Sequence, residues 1–451
     1  MRFGSIKNGR PSILSRFPSN DMTNDSGVRY IGGIRALPVW LRLLTSYGRY
    51  LFRPRRYPLC ILSCSKGGLL KSMHTVKDLH LLKVVKSDGG YRYCLTVPKW
   101  PSQPYDHMAV LGGLNINAAG TKFKQQVDHA ILAVSRKCAY RCRHCYERPH
   151  IASEETVPLN AWKRTVRDLQ AMGARALKDA GLEVAAVGLD DVNPERHDAL
   201  RGYPGAFREA LGAIRCFRRA GIFTYINLCL TKDLVHSGGL PALLELAKDL
   251  GVGAIRFLEP VPVGGYQGEN RAYLFSDDDR AATMDFFIRV NSSRRYADYP
   301  FISYEAYSEA LERLGCMMGG HSHFSIDSLG NVVPCVFLPV SFGNIQDENL
   351  PCIFQRMRLA IPGPCRQGCS AALLASAVNK QANCGTPLPV PFSAMRSEWR
   401  RLYPDPIQAI DLALRPSIYL RRGQQGSNVR QSGLHHVAEK GKSSILSTTD
   451  D

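Results

Sequence analysis

VDHAILAVSRKCAYRCRHC, residues 127–145, decides the fold. VDHAILAVS is a short apolar run containing β-branched residues, the pattern of a buried strand. It delivers the chain directly to Cys138, Cys142 and Cys145, three thiols within eight residues. Downstream, a helix is expected from about Asn160 through Leu177, closed by Gly181, and EVAAVGLD (183–190) reads as a second buried strand. In 205–220, Phe207, Leu211, Ile214 and Phe217 recur at helical spacing before Gly221. FTYINLCL (223–230) reads as a strand, LPALLELAKDL (240–250) as a helix ended by Gly251, and AIRFLEPV (254–261) as another strand. Strands alternating with helices of this length imply an α/β fold on a parallel sheet, open or curled into a barrel. Such sheets bind ligands at the C-terminal ends of their strands, where the cysteine loop stands.

Composition agrees with a folded chain of several domains. Of 451 residues, 45% are apolar and 22% charged, which excludes wholesale disorder. The net charge of +19 is local, because residues 1–100 alone carry +14. That divides the chain into a basic N-terminal extension (1–124), an α/β domain (125–305), a loop-rich domain (306–400) and a polar tail (401–451). The stretch GIRALPVWLRLLTSYGRYLF (33–52) is broken by Arg35, Arg42 and Arg49. It falls short of the roughly 18 uninterrupted apolar residues of a membrane span. It reads as a surface helix over a core, with an amphipathic membrane-lying helix as the alternative.

Fourteen cysteines are too dispersed for a small disulfide scaffold, yet they cluster: three in 138–145 and six in 316–384. Clustering in a long chain favours metal or iron–sulfur ligation and a reducing compartment, hence a cytoplasmic location. Three thiolates can hold three irons of a [4Fe–4S] cube and leave the fourth iron open. The flanking Arg136, Lys137, Arg141 and Arg143 are expected to lower the thiol pKa values. Zinc stays open as an alternative, with His144 as a fourth ligand on spacing alone. Cys216 and Cys229 fall in the apolar pattern and read as core thiols. Cys352 reads as packing, and Cys60 and Cys64 have no partner cluster nearby.

CxxxCxxC on the loop after a first strand resembles the radical SAM superfamily. That resemblance implies a shortened, partial (β/α) TIM-like barrel. It also implies that S-adenosylmethionine (SAM) binds the open iron and is cleaved to a 5′-deoxyadenosyl radical, with Cys138, Cys142 and Cys145 as catalytic cluster ligands. Gly188-Leu189-Asp190-Asp191 and His197-Asp198-Ala199-Leu200-Arg201-Gly202 resemble the middle of that barrel in its peptide-modifying branch. By the same resemblance Arg201 reaches the SAM methionine carboxylate, and Asp190 and Asn227 contact ribose or substrate. Gly188 stands where the family has Ser. No Gly-Gly-Glu-Pro-like segment follows, and only 44 residues separate Cys145 from Asp190. LQAMGARALKDAGL (169–182) therefore reads as a first barrel helix joined to a later one, and an open sheet or narrowed barrel is expected. A strand–helix–strand passage alone takes about 30 residues.

Downstream, Cys316, the Gly330-x4-Cys335 spacing and Phe342-Gly343-Asn344-Ile345 resemble a SPASM extension, a domain that carries auxiliary [4Fe–4S] clusters. One auxiliary cluster is expected on Cys316, Cys335 and Cys369, with the fourth ligand from Cys365 or Cys384. The resemblance points to an enzyme that modifies a peptide, a protein side chain or a cofactor precursor, supplied by a low-potential electron donor. The alternatives are a truncated cluster-binding protein that does not cleave SAM and a zinc-stabilised nucleic-acid-binding protein. No basic stripe interleaved with aromatics follows residue 100, so no nucleic-acid partner is expected.

Overall fold

The computed structural model describes residues 28–51, 83–105, 129–165, 184–309 and 315–403, apart from short gaps. They fall in one compact unit, Met1–Ile407. Residues 1–27, Cys60 and Cys64, most of the 98–124 linker, the expected helix beyond 165, the 169–182 join and the tail beyond 403 lie outside the described residues.

The strand pair expected at 80–97 forms, with the turn residue Gly89 at φ 69°. Strand β1 (Arg29–Ile31) pairs antiparallel with β2 (Val84–Ser87), and β2 with β3 (Gly90–Arg92). The stretch 33–52 is the expected surface helix (Leu37–Leu51). It buries Ala36, Trp40 and Leu43 against Val84 and Tyr105 while Arg35 and Arg42 stay exposed. Among the described residues no helix is long and apolar enough to cross a membrane.

This small sheet packs through Val85 onto Phe223, Ala254 and Phe301, and the Tyr30 hydroxyl donates to Val252 O at 2.6 Å. Lys83 is drawn into the same junction, 2% exposed, with its amine donating to the Tyr296 carbonyl. Burial lowers its pKa to about 7. Between about pH 7 and the ordinary lysine value, the unfolded chain holds a proton that the folded chain lacks, so this group makes stability rise with pH across that window. Thermal unfolding of the parent and Lys83→Met at pH 7 and 9.5 is expected to show the parent gaining on the variant by a few kcal/mol. A pH-independent difference would contradict it.

Strand β4 (His129–Leu132) is the strand that carries the cysteine loop, but it has a different neighbour from the one expected. It runs parallel to β9 (His323–Ile326) of the C-terminal region, His129 opposite His323 and Leu132 opposite Ile326. Strands β5 (Val184–Gly188), β6 (Phe223–Cys229), β7 (Ala254–Leu258) and β8 (Phe301–Tyr304) form a separate, wholly parallel sheet in that order. The fold is thus mixed α/β with an open four-stranded parallel sheet, the first of the two outcomes expected for the shortened barrel. Among the described residues no strand lies between β4 and β5, and the backbone of β4 finds its hydrogen bonds on β9.

Helices Ala206–Arg219, Gly239–Asp249 and Asp277–Ser292 cover one face of the four strands. Phe207, Leu211 and Ile214 are buried, as their spacing predicted, and Phe217 packs partly buried beside them. Gly221 (φ 74°) and Gly251 (φ 64°) adopt the left-handed turn that ends a helix. The helix Asp277–Ser292 was not expected, although Ser276 and Asp279 form a capping box at its start.

In the C-terminal region β9 pairs antiparallel with β10 (Val332–Val333), and β11 (Val340–Ser341) runs parallel to β12 (Val390–Pro391). Asp327 ties the β9–β10 turn by accepting from the backbone of Leu329 (2.9 Å) and Asn331 (2.8 Å). Gly330 takes φ 87° there, and the Asn344 side chain donates to Leu329 O at 2.9 Å. The Gly-x4-Cys spacing and the Phe-Gly-Asn-Ile turn are therefore two halves of one interlock.

Candidate functional site

The loop 138–145 leaves β4 and lies against the helix Pro194–Arg201 that follows β5. Arg141 N donates to Arg201 O and Arg143 N to Leu200 O, both at 2.9 Å. Gly202 lets the backbones meet, since a Cβ there would sit 2.8 Å from Arg141 O. On the other side Gly265 N donates to Cys145 O at 3.2 Å, and a Cβ on Gly265 would fall 1.7 Å from Arg143 O. The loop is clamped by backbone on both flanks.

Cys138 is exposed, Cys142 buried and Cys145 half-buried. Burial raises the thiol pKa values of Cys142 and Cys145, contrary to the lowering expected from the flanking basic residues. Those residues are otherwise engaged. Arg141 donates to Cys138 O and Tyr140 O, Arg148 to Arg141 O, and Arg143 lies over the Tyr273 ring. The cation that reaches a thiol is Arg201, with Nη1 3.9 Å from Cys142 Sγ.

Arg201 Nε lies 2.8 Å from Asp190 Oδ2. Asp190 is fully buried; its Oδ1 accepts from Cys229 N at 3.0 Å, and its own N–H donates to His197 Nδ1 at 3.1 Å. Its oxygens are spent inside the protein, so it orients Arg201 and is not displayed to a ligand. Gly188 now has a local reason: a Cβ there would lie 2.3 Å from Arg201 Nη2, so the guanidinium occupies the space of a side chain. Asn227, opposite Gly188 on β6, has a buried Oδ1 with no hydrogen-bond partner. That leaves an acceptor for a donor supplied from outside the protein.

Sequence reasoning missed three members of this site. Cys229 is no core thiol: it ends β6, hydrogen-bonded to the Tyr266 hydroxyl and within electrostatic reach of Cys142, Asp190 and Arg201. Burial raises its pKa well above the usual thiol range. Tyr266 packs near His144, ring centroids 6.5 Å apart. Gly265 closes VPVGG (261–265) and Tyr266 follows it, so the glycine pair was the available signal.

The second group was expected on Cys316, Cys335 and Cys369, with Cys365 or Cys384 as the fourth member. Cys316 and Cys365 exchange backbone hydrogen bonds at 3.0 and 3.1 Å. The Cys335 and Cys369 thiols lie within electrostatic reach of them, and burial raises the pKa of Cys316 to about 11. Glu309, pushed up to about 7 by burial and by the Glu305 carboxylate, sits beside this group. Cys384 does not join it. Cys369 and Cys384 cap opposite ends of the helix Ser370–Asn383, so about 20 Å of helix separates them. Cys352, expected as a packing residue, is exposed instead.

Two groups of cysteines thus stand beside the parallel sheet of an α/β fold. Residues 316–370 match the SPASM family, described as an iron-sulfur cluster-binding domain. The AdoMet-dependent heme synthase of Methanosarcina barkeri is 28% identical over 193 residues, 38% of this chain and 53% of the relative. That of Nitratidesulfovibrio vulgaris is 25% identical over 201 residues, 41% of this chain and 54% of the relative. The pre-heme d1 synthase of Dinoroseobacter shibae is 30% identical over 122 residues, 26% and 28% of the two chains. The chain thus spans about half the length of the heme synthases it matches. Among solved structures, Streptococcus suis SuiB bound to S-adenosylmethionine is 14% identical with a TM-score of 0.41, over 62% of this chain and 82% of that one. The SPASM match and the AdoMet-dependent relatives support a radical SAM enzyme with a SPASM domain, and [4Fe–4S] clusters and SAM as its cofactors.

Proposed function

We propose that the chain is a radical SAM enzyme acting on a cofactor precursor of the tetrapyrrole class. One observation carries the radical SAM reading: Arg201 joins the cysteine loop to Asp190 at the strand ends, beside the unpartnered Asn227 Oδ1. The curated relatives, heme synthases and a pre-heme d1 synthase, support the tetrapyrrole substrate. A peptide or protein substrate, expected from the sequence, draws no comparable support.

In this reading Cys138, Cys142 and Cys145 hold one cluster, and Cys316, Cys335, Cys365 and Cys369 hold one auxiliary cluster. When bound, the cluster and SAM supply an electron and a carbon-centred radical for hydrogen abstraction. The protein's own part is placement. Gly202 and Gly265 fix the loop, Asp190 aims Arg201, Arg201 offsets thiolate charge, and Asn227 accepts from the incoming ligand. The second reading, a cluster-binding protein without SAM cleavage, is favoured by the pairing of β4 with β9 in place of a further barrel strand. Weak SAM binding is expected on that account, since each charge-assisted hydrogen bond lost costs about 1.5–3 kcal/mol.

Anaerobic reconstitution followed by assay of iron and of 5′-deoxyadenosine tests the choice. About eight irons with deoxyadenosine supports the enzyme. The same iron without it supports the second reading, and zinc without iron sinks both. The ligand set has its own test: Cys365→Ala is expected to lose the auxiliary iron while Cys384→Ala keeps it. Equal iron loss in both would restore Cys384 as a ligand.

A further inference from the structure

The face of the four-stranded sheet turned away from its covering helices carries a row of polar side chains. Asn227 on β6 is in register with Arg256 on β7, and Arg256 with Ser303 on β8. Arg256 places Nε 2.7 Å from Glu305 Oε1, both side chains being roughly a quarter exposed. A guanidinium has five N–H donors in a planar fork, so the pair with Glu305 and a hydrogen bond with Tyr225 still leave donors to spend elsewhere.

Tyr146 lies next to this row. It follows Cys145, is 37% exposed, and sets its ring perpendicular to Phe337 at 5.9 Å. Phe337 follows Cys335 by two residues, so the two rings bridge from one cysteine group to the other. The Tyr146 phenol lies within electrostatic reach of Glu147, Cys145, Cys335 and Arg256. Tyr146 also walls a cavity in which apolar Ile131, Val333, Val336 and Pro339 are joined by the polar Glu147, His150, Ser325 and Asp327.

An exposed aromatic shelf between two sulfur sites, with a guanidinium at its edge, has the recognition chemistry of a flat apolar body bearing a carboxylate. We infer that Tyr146 and Phe337 seat the substrate's planar body and that Arg256 binds its carboxylate, which makes Arg256 the residue that selects the acid over a neutral analogue. The inference rests on the tetrapyrrole reading and adds the side chains that would enforce it. Glu305 holds the guanidinium in place, and Arg256 acts by direct contact with substrate, apart from the cluster ligands.

The experiment uses the full chain with its clusters reconstituted and a dicarboxylate porphyrin, mesoporphyrin, beside its dimethyl ester, both in mild detergent. Binding is read from the shift of the porphyrin's main absorbance band. Arg256→Gln alone would strand a buried carboxylate, so Arg256→Gln with Glu305→Gln removes both charges together, and Arg256→Lys and Tyr146→Ala accompany it. The double variant is expected to bind the diacid about tenfold or more weakly than the parent and the ester within about twofold. Arg256→Lys should fall between, because an ammonium lacks the planar fork. Tyr146→Ala should weaken acid and ester alike. Iron content equal to the parent's shows that the variants are folded. If the parent binds the diacid and the double variant binds it equally well, Arg256 is no anchor and the tetrapyrrole reading survives. If the parent binds neither porphyrin, that reading falls and the anchor with it.

Discussion

Replacing Cys138, Cys142 and Cys145 together with alanine is expected to remove about four irons per chain and leave the auxiliary iron in place. The loss should be complete because the loop has no substitute donors of the right kind. The nearest further thiol, Cys229, is hydrogen-bonded to Tyr266 at the end of another strand. Selectivity is expected because each cysteine group is held by its own backbone framework, Arg201 and Leu200 for the first and the Cys316–Cys365 exchange for the second. Iron and sulfide assay after anaerobic reconstitution reads the result. Unchanged iron would show that the loop ligates nothing.

Asp190→Ala should cost about 3–5 kcal/mol, the range for removing one partner of a buried ion pair. Asp190 is fully buried, and the Arg201 side chain left behind is only 17% exposed. The same substitution strands the Cys229 N–H. Asp190→Asn keeps an acceptor for that N–H while removing the charge, so it should lose less than the alanine variant. Because Arg201 also braces Cys142, both variants should lower first-site iron as well as the unfolding midpoint. Thermal unfolding with parallel iron assay separates the two effects. An alanine variant as stable as the parent would mean that Asp190 is not the hub of this site.

The four parallel strands were legible because each alternates with a helix of clear apolar spacing, and Gly221 and Gly251 mark the helix ends. Both cysteine groups were legible from spacing. The partner of β4 was not, since β-pairing between residues nearly two hundred positions apart leaves no local trace in either HAIL (129–132) or HFSI (323–326). The exclusion of Cys384 from the second group became visible only once the helix between it and Cys369 had a length in space. Thiol pKa values ran against the expectation from neighbouring arginines because adjacency in sequence does not aim a guanidinium. The arginines beside the cysteines bond to backbone, whereas Arg201, about sixty residues away, meets Cys142.

The union of β4 with β9 means that the boundary drawn near residue 305 cannot be cut. A chain ending there would strip β9 from the one edge along which the strand that presents the first three thiols is paired. A chain beginning there would bring β9 without the neighbour that flanks it opposite β10. The two halves are therefore a single heritable unit: gene fusion or loss at that boundary would leave neither with a complete sheet.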